Sequence, residues 1–101
     1  MFKMIALFKQ PENPKAFDEH YFQTHLPLTA KIPGLKEIRV TKMTGAPRGE
    51  SPYYLMCEMM YESEAAFQKA AKTPESKASG KDVMTFAGNI VSFMFGEETN
   101  D

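Results

Sequence analysis

Residues 53–61, Tyr-Tyr-Leu-Met-Cys-Glu-Met-Met-Tyr, place large apolar side chains at both odd and even positions. Successive side chains of an extended chain point to opposite faces, so this segment does not suit a strand with one face in water. The same holds near the N-terminus, where Phe2, Met4, Ala6 and Phe8 make one face while Ile5 and Leu7 make the other. It holds again near the C-terminus, where Ile90 and Met94 oppose Val91, Phe93 and Phe95. A chain with such strands has to cover both faces of its sheet. None of the runs approaches the roughly 18 consecutive apolar residues of a membrane helix.

The punctuation between the apolar runs is helical. Asn13-Pro14 combines a side chain able to cap free N–H groups with a proline at the first helical position, where no hydrogen bond is lost. The helix that follows runs from Pro14 toward Thr24, with Phe17, Tyr21 and Leu28 at helical spacing. Pro27 has no N–H for the carbonyl of Gln23 and pushes Leu26 out of the helical region, so a break or kink is expected near His25. Pro33-Gly34 ends this stretch, and Leu35 to Thr44 reads as a second strand, with Ile38 and Val40 opposite Glu37, Arg39 and Thr41. Beyond the loop from Gly45 to Pro52 and the strand Tyr53–Tyr61, Ser63 caps a helix from Glu64 to Lys72. Thr73-Pro74 starts another, expected to reach Phe86 with an interruption at Gly80, and Asn89 to Phe95 is the last strand. The order strand, helix, strand, strand, helix, strand predicts an α+β, ferredoxin-like βαββαβ domain: a four-stranded antiparallel sheet with its helices on one face. One domain over 1–96 and a frayed acidic tail over 97–101 account for the 101 residues.

With helices on one face, the second apolar face needs a partner, and the expected one is the same face of another copy, giving a homodimer. Other partners are disfavoured by charge: 12 Lys and Arg against 13 Asp and Glu offer no footprint for nucleic acid or an anionic membrane. The single cysteine, Cys57, cannot form an internal disulfide, and the run Met4–Phe8 is closed by Lys9 well short of a signal-peptide core. A reducing, cytoplasmic setting is the expectation.

The segment Tyr21-Phe22-Gln23-Thr24-His25-Leu26-Pro27-Leu28, then Lys31-Ile32-Pro33-Gly34-Leu35 and Tyr53-Tyr54-Leu55, resembles the EthD family of dimeric α+β barrel proteins. The opening Lys3-Met4-Ile5-Ala6-Leu7-Phe8-Lys9 and the strand order agree, so the likeness covers nearly the whole chain. It implies two cupped sheets closing into a barrel around a cavity. Similar barrels include cofactor-independent monooxygenases, muconolactone isomerases, haem-binding enzymes and polyketide cyclases. The family takes its name from a protein associated with a cytochrome P450 system for ether degradation. A fold does not fix a function.

His25 is the leading candidate for chemistry. It sits at the break imposed by Pro27, and an imidazole near its ordinary pKa of about 6.5 suits a base acting on an acidic C–H or a phenol. In barrels of this kind a histidine with nearby tyrosines often has that role, which the resemblance extends to His25 with Tyr54 or Tyr21 orienting the substrate. The competing reading has His25 tying the helix break to the sheet. His20 lies five positions earlier, roughly 140° around an α-helix, so the two histidines are not expected to share a metal as an i, i+4 pair would. A lone His25 or His20 leaves an axial haem ligand open, but nothing marks one.

Tyr53 and Tyr54 point to opposite faces. The parity that carries charge holds Lys3, Ile5, Leu7, Arg39, Tyr54, Met56, Glu58 and Met60, and it is assigned to the barrel because a wet cavity tolerates charge better than a helix-covered face. Ile5, Leu7, Arg39, Met56 and Glu58 are therefore expected to line the cavity, with Arg39 and Glu58 as a cross-sheet ion pair. Cys57 then faces the helices as a small core residue. Met4, Met56, Met59, Met60 and Met94 fall in strands, where flexible thioethers suit either core filling or a loosely specific apolar pocket. No phosphate loop, dinucleotide fingerprint or metal-ligand cluster is present in the sequence, so no cofactor and no metal are expected. Two functions remain: a cofactor-independent oxygenase (an oxidoreductase), isomerase or cyclase acting on an aromatic or polyketide-like compound; or a non-catalytic binding or accessory protein for an apolar metabolite or an ether-degradation-like monooxygenase system.

Overall fold

The computed structural model describes residues 1–99. Four antiparallel strands, β1 (Phe2–Lys9), β2 (Glu37–Lys42), β3 (Tyr53–Tyr61) and β4 (Val91–Glu97), form one sheet in the order β2-β3-β1-β4. The two most apolar strands, β1 and β3, therefore hold the centre, where both faces can be covered. Glu97, expected in a frayed tail, instead closes β4 opposite Phe2 and meets the N-terminal ammonium at 3.2 Å. The remainder of that tail, Asn100 and Asp101, lies outside the described residues.

Three helices start on the caps their sequence supplies. The Asn13 side chain accepts from the Ala16 N–H at the head of α1 (Pro14–His20), and Ser63 accepts from Ala66 at the head of α3 (Glu64–Ala71). Thr73 does the same for Ser76 in α4 (Pro74–Ala87), which runs unbroken through Gly80. The lost propensity of one glycine is thus outweighed by the packing of Ser79, Val83 and Ala87, all buried.

The break expected near His25 takes another form. The chain widens into a π-helical segment, Tyr21–His25, and then resumes as α2 (Leu26–Thr29), with Pro27 in its first turn. The Leu26 N–H donates to the Tyr21 carbonyl, five residues back, so no hydrogen bond is asked of Pro27. After α2 the chain turns at Gly34, whose φ of 86° is in the left-handed region that favours glycine.

Phe2, Ala6 and Phe8 of β1 and Leu55, Cys57, Met59 and Tyr61 of β3 are buried beneath the helices with Phe17, Tyr21, Ile32, Ala70, Val83 and Ala87. Phe8 meets Phe17 edge-on at 5.3 Å, and Phe17 stacks on Tyr21 at 5.7 Å between ring centroids. α4 packs against the π segment and α2, on this same side. The opposite face, with Ile5, Leu7 and Met56 half-buried, carries no helix.

Tyr54 departs from the parity expected of it. Pairing shifts between Phe8 and Lys9, so that Phe8 faces Leu55, Lys9 faces Tyr53, and Tyr54 is the extra residue of a bulge. Its ring meets Phe17 edge-on at 5.5 Å, and its hydroxyl donates to Asp18 at 2.8 Å, against α1 rather than on the open face. The expected Arg39–Glu58 ion pair is also replaced. The two are register partners, but Glu58 binds Lys3 at 2.7 Å while Arg39 pairs with Glu37 on its own strand.

Candidate active site

A cavity of about 160 Å³ lies between the sheet and the helices, within one subunit and on the face that carries Ala6 and Cys57. Its floor is Met4, Ala6, Cys57, Met59 and Tyr61 from β1 and β3; its walls include Tyr21, His25 and Thr29. α4 contributes Ser76, Ser79, Gly80 and Val83. Small residues on the inward stripe of α4 keep the helix from filling the space. Among the lining residues Gly80 and Phe93 are exposed, so the cavity opens beside them. Ile5, Leu7, Arg39, Met56 and Glu58 do not line it, and neither does Tyr54.

His25 is buried, 7 % exposed, at the cavity wall. Its Nδ1 lies 2.9 Å from Asp82 Oδ2, and the same carboxylate takes His20 Nε2 at 3.0 and 3.1 Å. Two histidines five residues apart reach one carboxylate because the π segment between them turns more slowly than an α-helix. The 140° separation expected for a regular helix does not apply. Asp82 is the residue the sequence reading missed. Its signal was there: an acid beside Val83 and within one turn of Ser79 and Phe86, on the helix stripe that the apolar pattern turns inward.

With Asp82 accepting from Nδ1–H, the lone pair of His25 is on Nε2. The Thr29 hydroxyl donates to it over a long 3.3 Å, and Ser79 donates to Thr29 at 2.7 Å. Nε2 is therefore the ring nitrogen that a molecule in the cavity can engage. Burial pulls the His25 pKa below its ordinary value, Asp82 pulls the other way, and the neighbouring His20 adds to the lowering. The net direction is down, which keeps the imidazole neutral and able to accept a proton near neutral pH.

Tyr21 also faces the cavity, with its ring centre 5.5 Å from that of His25. Burial, then the adjacent Cys57, push its hydroxyl far above the ordinary range, so it acts as a hydrogen-bond donor rather than a base. Burial likewise raises the Cys57 thiol, against a smaller opposing effect of Tyr21, and holds it protonated. Cys57 lines the cavity without the thiolate that nucleophilic catalysis needs. Among the described residues no group of three or more His, Cys, Asp or Glu is placed to hold a metal ion, and no helix is long and apolar enough to cross a membrane.

Residues 9–89, which include His25, Asp82 and most of the cavity wall, match the EthD domain. The chain belongs to the EthD family. A solved EthD family protein from Bacillus halodurans is 57% identical, superposes with a TM-score of 0.96, and covers 98% of this chain and 99% of its own. An uncharacterised 11.0 kDa protein in the thcB–thcC intergenic region of Rhodococcus erythropolis is 31% identical over 98 residues, 97% of this EthD chain and 95% of the relative. SnoaB, a cofactor-independent oxygenase of Streptomyces nogalater, solved as a point mutant, shares the fold with a TM-score of 0.69 at 11% identity. That alignment covers 99% of this chain and 94% of SnoaB.

Proposed function

We propose that this EthD protein is a small-molecule enzyme that works by proton transfer, with His25 as general base, Asp82 as the residue that fixes its tautomer, and Tyr21 orienting the substrate. One observation carries the reading: a buried imidazole, kept neutral by its burial, borders a largely apolar cavity with a carboxylate on Nδ1 and only a long hydroxyl contact on Nε2. A base near neutrality in a water-poor site is what removal of an acidic C–H or phenolic proton requires. The reaction class is an isomerisation, a cyclisation or a cofactor-independent oxygenation, since each begins with that proton. The shared fold of a cofactor-independent oxygenase supports the last of these. Tyr54, hydrogen-bonded to Asp18 outside the cavity, has no part in it.

The working unit is a homodimer. Ile5, Leu7 and Met56 line a sheet face without helices, and the half-buried Lys3–Glu58 pair lies among them. A second copy laid on this face removes that apolar area from water.

The test is to incubate the protein in D2O with a library of small carbonyl and phenolic compounds and to read products and deuterium incorporation by mass spectrometry. Turnover is expected in the wild type and a loss of about 10²–10⁴-fold in His25→Gln, with the far-UV spectrum unchanged. Equal turnover in the two proteins removes His25 as the base. The alternative, a non-catalytic binder or accessory to an ether-degrading monooxygenase, draws on the hydrogen bonds at both His25 nitrogens, which also suit a structural post. It predicts that His25→Gln destabilises the fold and that no library compound is converted.

A further inference from the structure

The Tyr21 hydroxyl is buried and, apart from the adjacent Cys57 thiol, a weak acceptor, has no hydrogen-bond partner among the described residues. The residue is 1 % exposed, its ring is held by Phe8 and Phe17, and it borders the cavity. A buried hydroxyl of this kind is costly unless something else in its surroundings accepts its proton. Of the other polar groups beside His25, Thr29 is engaged with Ser79 and His25, and His25 with Asp82, while the Ser76 and Tyr61 hydroxyls lie elsewhere in the lining. What Tyr21 lacks is an acceptor oxygen.

We propose that the natural ligand is a compact carbonyl compound, no larger than about one ring, whose oxygen accepts from Tyr21 and whose α-hydrogen faces His25. This names the substrate class of the base reading above and rests on it. Size follows from the cavity, since about 160 Å³ is close to the roughly 150 Å³ that holds a benzene molecule elsewhere. Polarity follows from a lining that is mostly apolar, with Met4, Ala6, Leu26, Ile32, Met59 and Val83 leaving little for a second polar group. Charge is disfavoured by the same walls and by the Asp82 carboxylate behind His25. An ether or a hydrocarbon of equal size brings no hydrogen acidic enough for an imidazole, whereas a carbonyl brings acceptor and acid in one group.

The step balances within these residues. His25 Nε2 takes the α-proton, the C–H electron pair becomes the new C=C bond, and the carbonyl π pair moves onto oxygen, where the Tyr21 hydrogen bond steadies it. Return of a proton or deuteron from Nε2 to carbon restores the ketone, so exchange with solvent reports the step without knowledge of the natural product.

The experiment compares three probes by NMR titration: cyclohexanone; methylenecyclohexane, the same shape without the oxygen; and 2-decalone, with a second ring. Wild type should bind cyclohexanone about three- to tenfold more tightly than methylenecyclohexane, and Tyr21→Phe should erase that difference. 2-Decalone should bind at least about tenfold more weakly than cyclohexanone. Because the ligand-free protein loses at most a weak contact with the Cys57 thiol in Tyr21→Phe, its melting temperature should hold or rise, which separates lost binding from lost folding. Equal binding of cyclohexanone and methylenecyclohexane to wild type, or of cyclohexanone and 2-decalone, overturns the assignment. α-Deuterium exchange of bound cyclohexanone is read separately, with His25→Gln as control. Selective binding without exchange above the buffer rate sinks the base reading and leaves the ligand class standing.

Discussion

His25 has its two ring nitrogens in different company, a carboxylate on one side and a loosely held hydroxyl on the other, and this asymmetry sets its pH behaviour. Burial lowers the folded pKa below the ordinary 6.5 of an unfolded histidine, with Asp82 opposing and His20 assisting. Between the two values the unfolded chain binds more protons than the folded one. The contribution of His25 to stability is therefore complete above pH 6.5 and declines as the pH falls through that value toward the folded pKa, by at most about 1.4 kcal/mol per pH unit. Denaturant titrations from pH 8 to pH 5 should show this slope in the wild type and a shallower one in His25→Gln. At this scale Pro27 marked His25 in the sequence, and the family resemblance, rather than any spacing, added Tyr21. Asp82 was obscured, since an acid in a helix reads as solvated until the helix is docked. Tyr54 was misplaced by a bulge: one unpaired residue reverses strand parity, and no residue type in Tyr53-Tyr54-Leu55 announces it.

At the scale of elements, strand and helix positions follow the caps and the apolar runs, and β3 keeps the expected bounds, Tyr53 to Tyr61. The π segment was not legible. Pro27 says that a regular hydrogen bond is missing, but a chain can answer by kinking, ending or widening, and the choice depends on what the widened turn packs against. Here the widening puts His20 and His25 on one carboxylate. α4 offers a cleaner test of element energetics. Gly80 sits in its interior, exposed at the cavity mouth, and a Cβ there meets no atom within 4 Å. Gly80→Ala should therefore stabilise the protein by about 0.5–1 kcal/mol, the helix-propensity difference alone. Thermal melts should rise, at about 4–8 °C per kcal/mol for a domain of this size. The residue that weakens the helix is also one that keeps its entrance wide.

For the whole molecule, the two apolar parities of β1 and β3 predict a sheet covered twice; the helices cover the face that carries Phe2, Ala6 and Phe8, and the other face is bare in a single chain. Strand alternation tells two faces apart without saying which one has room beside it. That depends on how much of the gap the helices fill, and the small side chains of Ser76, Ser79 and Gly80 leave it partly empty. For the open face, Leu7→Glu should set a charge within the dimer contact. Sedimentation should then fall from about twice 11.4 kDa to 11.4 kDa, with the far-UV spectrum retained. A wild type that sediments as a monomer at micromolar concentration removes the dimer. The composition of the cavity floor has a chemical cost of its own. Met4 and Met59 carry thioethers and Cys57 a thiol, so the surface beneath a ligand is the most oxidisable material in the site. Thioethers become sulfoxides, polar and bulkier, and a floor so altered no longer fits an apolar guest. If the protein handles oxygen, every escaped peroxide is spent on its own binding surface and activity decays with turnover number; if it only moves protons, the same floor stays reduced indefinitely.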